Sequence, residues 1–80
     1  MAYYHKPWFK LNWKRQPNEI LPEGWKQLWR ASYRGSEVAE VWLHESGWWF
    51  ARVGDKEKLW ERDCDTLLLL ITGIVLGGNN

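Results

Sequence analysis

The stretch "ESGWWFARVG", residues 45–54, constrains this chain more than any other. In a strand, successive side chains point to opposite faces. Trp49, Ala51 and Val53 then share one face, and Trp48, Phe50 and Arg52 share the other. Both faces carry apolar bulk that favours burial. Eighty residues hold one modest core, and chains this short bury a smaller share of their surface than larger domains do. One face is therefore core, and the other needs a cover or a partner.

The hairpin around this stretch sets the register of its neighbours. Arg34-Gly35-Ser36 and Glu45-Ser46-Gly47 read as three-residue hairpin loops, the second with glycine where a bulged turn needs left-handed geometry. The cross-strand rows then sort into two faces. One face holds Gln27–Leu43–Trp49, Trp29–Val41–Ala51 and Ala31–Ala39–Val53. The other holds Lys26–His44–Trp48, Leu28–Trp42–Phe50 and Arg30–Glu40–Arg52. The last row sets a carboxylate between two guanidinium groups, a favourable cross-strand pairing. Residues 25–34 alone fit a helix as well as a strand; the register favours the strand and places Trp25 with Trp29 on the inner side.

Gly54-Asp55-Lys56-Glu57 reads as a further turn, with a short strand over 58–62. Asp63 or Asp65 can cap a helix that Gly77-Gly78 ends. "LLLLITGIVL" is apolar almost all round, so a helix there is expected to be buried on more than one side. The rival reading is a strand pair turning at Thr72-Gly73. Upstream, "YYHKPWFKLNWKR" at 3–15 is an aromatic and basic arm whose alternation from Phe9 fits a half-buried extended strap. "QPNEILPEG" at 16–24 reads as a loop. The expected fold is α+β: an antiparallel three- to four-stranded meander over 25–62, a C-terminal helix at 63–77 on one face, an extended N-terminal arm at 1–15, and a tail at 78–80. All 80 residues are expected to form one domain.

Several function classes find little in this sequence. Cys64 is the one cysteine, so there is no disulfide framework, and a lone thiol fits a reducing compartment. Asp63 and Asp65 flank it and oppose a reactive thiolate. His5 and His44 lie far apart. There is no phosphate-binding glycine loop, paired carboxylate site or metal-ligand spacing. No enzyme activity, cofactor or metal is expected. The start lacks an apolar h-region and cleavage site, and the run Leu67–Leu76 is shorter than the roughly 20 residues a bilayer span needs. A cytoplasmic protein is expected. Net charge is +1, with six basic and two acidic residues in 1–30 against five and eight in 31–80.

"GWWFARVGDKEKLWERDCDTLLLLITG", residues 47–73, resembles the hairpin and helix of plant AP2-type DNA-binding domains. Its layout is also similar to N-terminal domains of some phage integrases. Trp49, Ala51, Arg52, Trp60, Asp65 and Thr66 fill comparable places. That resemblance implies DNA read by the helix-free sheet face, through Arg30, Trp42, Trp48 and Arg52. The short, tryptophan-rich habit also resembles accessory proteins of phages and prophages.

The functional expectation is a small non-enzymatic binding module, of the kind a phage uses to inhibit a host protein or defence complex in the host cytoplasm. Interface centres are rich in Trp and Arg. The expected partner-binding residues are Trp48, Phe50, Arg52, Trp42, Arg30 and Lys26, joined by Trp8, Lys10, Lys14 and Arg15 of the arm. A protein partner fits this set best. The alternative is DNA or RNA bound by the same face or by the arm, where cations meet phosphates and aromatic planes meet bases. The apolar helix adds an expected homodimer contact.

Overall fold

The structure, a computed structural model, describes residues 10–77. Five antiparallel strands follow in sequence order: β1 (Asn12–Arg15), β2 (Trp25–Tyr33), β3 (Ser36–His44), β4 (Trp49–Val53) and β5 (Glu57–Glu61). One α-helix follows among the described residues, α1 (Cys64–Gly77). The α+β meander with a C-terminal helix is thus the fold. The fifth strand comes from the arm. Leu11 is buried and Trp13 pairs with Ala31, so these two residues join the helix-side face. The expected strap is an edge strand instead, because the alternation of Leu11 and Trp13 with Asn12 and Lys14 also suits backbone pairing. Phe9 and Trp8 lie outside the described residues.

Five of the six expected rows form as read: Gln27–Leu43–Trp49, Trp29–Val41–Ala51, Ala31–Ala39–Val53, Leu28–Trp42–Phe50 and Arg30–Glu40–Arg52. Two bulges frame them. The β2–β3 turn has two residues, Arg34 and Gly35, both at positive φ (54° and 83°), as the twist of a two-residue hairpin requires. That shortens the expected loop by one residue. An irregularity between Ala31/Ala39 and Ser32/Glu37 inserts Val38 and restores the register. The second loop is as read: Gly47 sits at φ 96°, and its N–H donates to the His44 carbonyl at 3.0 Å.

The sixth row is corrected. A bulge between Trp25 and Gln27 makes Trp25, not Lys26, the partner of His44. An extra residue in a strand turns the following side chains over. Trp25 therefore leaves the inner face for the outer one, and Lys26 stands exposed in the bulge.

The core lies between the sheet and α1. Ala31, Ala39, Val41, Ala51 and Val53 face Leu67 and Ile71, all essentially buried. The small alanines let the helix backbone approach the sheet. Helix α1 packs mainly on β4 and β5. Its burial is one-sided: Leu67, Ile71 and Thr72 are buried, whereas Leu69 and Leu70 are exposed. That corrects the expectation of burial on more than one side, since nothing among the described residues lies over the far side of the helix. Thr72 satisfies its hydroxyl by donating to the Leu68 carbonyl at 2.8 Å.

Asp63 caps the helix. Its Oδ2 accepts from the Thr66 hydroxyl at 2.6 Å and the Thr66 N–H at 2.9 Å. Those two bonds, the hydroxyl first, hold the carboxyl below the usual aspartate range. A lowered folded-state pKa contributes stability that is full above the unfolded value and fades as pH falls through the folded one. Asp63→Ala should therefore lower Tm at neutral pH, and the gap from wild type should close in acid below the ordinary aspartate range. Thermal melts of both proteins across pH check this.

Candidate functional site

The face away from α1 has two bands. The first is aromatic. Trp25 stands edge-on to Trp42 (centroids 5.8 Å apart), to His44 (4.9 Å) and to Phe50 (6.3 Å). Trp60 on β5 lies 4.7 Å from Phe50 and 6.2 Å from Trp25. Such edge and tilted contacts are favourable beyond their buried area. Leu28, cross-strand from Trp42, is 1% exposed, so this face has a small core of its own. Its rim stays open: Trp60 is 54% exposed and Trp48 39%. The Arg62 guanidinium lies 5.0 Å from the centre of the Trp48 ring, close enough for cation–π attraction.

The second band is charged. Lys14, Arg30, Glu40, Arg52 and Lys58 form one row across all five strands. Glu40, with its side chain 13% exposed, is the hub. It meets Arg30 at 2.8 Å and Arg52 at 3.0 Å. Glu37 adds contacts to both arginines at 3.5 and 3.6 Å, and Glu19 one to Arg30 at 3.3 Å. Burial lowers the Arg30 pKa, but the Glu40, Glu37 and Glu19 carboxylates outweigh it and the net shift is upward. Four cations against three carboxylates leave the band nearly neutral. Both arginines are already satisfied, which weakens them as phosphate ligands.

The expected site residues thus divide. Trp42, Trp48, Phe50, Arg30 and Arg52 come together on this face, and Lys14 joins them at the β1 edge. Lys26 stands in the bulge beside Trp25, out of the row expected for it. Lys10 and Arg15 are exposed, and Arg15 pairs with Trp29 on β2. Trp25 and Trp60 are central to the patch, and residue alternation alone missed Trp25. Trp60 follows from the β5 register, in which Leu59 pairs with Ala51 of the inner face and Trp60 with Phe50 of the outer face.

At one end of the aromatic band, Trp25, His44, Ser46, Trp48 and Trp60 line an open cavity of about 440 Å³. The Ser46 N–H donates to His44 Nδ1 at 3.1 Å, and the Ser46 hydroxyl lies 2.8 Å from the same nitrogen. On the other side of the sheet, Leu11, Trp13, Gln27, Trp29, Val41, Trp49, Cys64 and Leu68 line an apolar groove of about 430 Å³ beside α1. Its amide is engaged: Trp29 Nε1–H donates to Gln27 Oε1 at 3.1 Å.

Cys64 is half-buried at the groove. Burial raises its pKa, and Asp65 and Asp63 raise it further. The thiolate is the reactive form, so alkylation by iodoacetamide at neutral pH should be slower than that of free cysteine. The rate should keep climbing with pH beyond the point where free cysteine levels off. A stopped-time mass measurement across pH checks this. Among the described residues no group of three or more His, Cys, Asp or Glu side chains is placed to hold a metal, and no helix is long and apolar enough to cross a membrane.

Comparison with known proteins finds no matching family model, no similar curated protein and no similar solved structure.

Proposed function

We propose that this chain is a small non-enzymatic binding module that docks a protein partner on its helix-free sheet face. The observation that carries this reading is the open aromatic rim. Trp60 and Trp48 stand exposed beside Trp25 and Phe50 on a face that α1 leaves uncovered. Aromatic anchors ringed by polar groups are what interface centres use. The internally paired Arg30–Glu40–Arg52 row fits a polar margin better than a phosphate-binding strip. A module of this kind acts by covering a partner's surface, which is how an inhibitor of the phage type would work. Affinity capture from the native source, with and without nuclease, tests the partner class. Capture that survives nuclease and fails with Trp60→Ala supports the reading; capture indifferent to Trp60→Ala overturns it.

A second reading rests on the charged row. Lys14 and Lys58 flank the two arginines beside an aromatic row, an arrangement that single-stranded nucleic acid also favours. Binding of that kind weakens steeply with salt, whereas an aromatic contact does not.

Leu69 and Leu70, 47% and 42% exposed, are the proposed seat of self-association. Sedimentation should give a dimer mass that Leu70→Glu returns to the monomer. A wild-type chain that stays monomeric at every concentration removes the dimer.

A further inference from the structure

We propose that the cavity formed by Trp25, His44, Ser46, Trp48 and Trp60 takes a proline-rich segment of the partner in the polyproline II conformation. This rests on the sheet-face reading above and names the chemistry that the face selects.

Hydrogen-bond complementarity carries the argument. An indole offers a donor and no acceptor. None of the three indoles at the cavity donates to a protein acceptor among the described residues, in contrast to Trp29. The Ser46 N–H donates to His44 Nδ1, and the other ring nitrogen, Nε2, lies on the Gly24 side. The Ser46 hydroxyl is engaged with His44 Nδ1. The indole polarity of the lining is thus donors set among aromatic planes, beside one hydroxyl oxygen at Ser46 that can still accept, and no carboxylate is among the lining residues.

A ligand matching the three indoles presents acceptors and compact apolar rings. A proline run does so. Proline has no N–H, its carbonyls remain free in polyproline II, and that conformation has no internal hydrogen bonds. The segment is also extended before it binds, so little ordering entropy is lost. Aromatic-lined grooves on other folds capture such segments on the same physical basis. The competing ligands fit less well. A cationic side chain would find no carboxylate in the lining, and Arg62 already lies against Trp48. A nucleic-acid strand needs cations at its phosphates, and the cation beside this lining, Arg62, is already engaged by the Trp48 ring and the Ser46 carbonyl at 3.5 Å.

The test titrates three capped probes into the full chain with indole 15N labels: decaproline, a Gly-Ser decamer and the DNA strand dT10. Decaproline should bind saturably, shifting the Trp25, Trp48 and Trp60 indole signals and leaving Trp29 and Trp49 in place. Trp60→Ala, confirmed folded by its melt, should weaken it at least about tenfold. The Gly-Ser decamer should not bind. No saturable shift with decaproline into the millimolar range overturns the proposal, as does dT10 binding where decaproline does not. Failure of the wider reading is distinguishable. A captured protein partner lost with Trp60→Ala but unaffected by decaproline sinks the proline inference alone. Indifference of both probe and partner to Trp60→Ala sinks both.

Discussion

Ile71→Ala should remove about 2–5 kcal/mol of folding stability, the usual cost of truncating a buried isoleucine and leaving a cavity. For a chain of 80 residues the total is on the order of 4–12 kcal/mol, so a loss of that size takes a large fraction of it. Ile71 is fully buried against the sheet. The buried cluster it belongs to includes Ala31, Ala39 and Ala51, which have no longer side chains to swing into a gap. Relaxation is correspondingly limited. Leu70→Ala on the same helix should change stability by no more than about 0.5 kcal/mol in the monomer, as exposed substitutions usually do. Urea unfolding of both variants measures the contrast. Equal losses at the two positions would mean that α1 is not packed by its Leu67–Ile71 side.

Trp60→Ala should do the reverse. It should weaken partner binding by about 2 kcal/mol or more, roughly thirtyfold, while leaving Tm close to wild type. The asymmetry follows from position. Trp60 is more than half exposed at the sheet margin, so the isolated protein gains little from it beyond its contacts with Phe50 and Trp25. A partner that covers it gains a large aromatic surface. Trp48→Ala should act in the same direction. Its effect should be smaller, because Arg62 already occupies space over that ring. Calorimetry with the captured partner, beside thermal melts of the same variants, separates affinity from folding. A fall in Tm equal to the loss in binding would make Trp60 a structural residue.

How much of this was legible in the sequence depends on the residue. The middle rows were legible because alternation, glycine turns and the Arg30–Glu40–Arg52 charge sequence all agree on one register. The edges were not. A bulge is one extra residue, and nothing in "EGWKQL" marks Lys26 as that residue. Its cause is tertiary: the Glu45 N–H donates to the Gly24 carbonyl at 2.8 Å, which fixes the start of β2 against the loop after β3. That one displacement carries Trp25 to the outer face and builds the aromatic cavity. At Arg34-Gly35 the opposite occurred, since the shorter turn and the Val38 bulge cancel. The arm showed the right periodicity for a strand, but periodicity does not name the strand it pairs with. The apolar run of α1 told its helical nature better than its burial, because a leucine looks the same in sequence whether a partner covers it or not. Trp60 was within reach once β5 had a register, and only cross-strand contacts beyond the hairpin supply one.

The indole N–H spectrum tests the central claim most directly. Eight tryptophans offer eight reporters distributed over both faces of the sheet and the arm. On titration with the captured partner, the Trp25, Trp48 and Trp60 signals should shift or broaden together, while Trp29 and Trp49 on the helix side stay where they are. Movement of Trp29 and Trp49 with Trp25, Trp48 and Trp60 unmoved would place binding in the groove beside α1 and contradict the account.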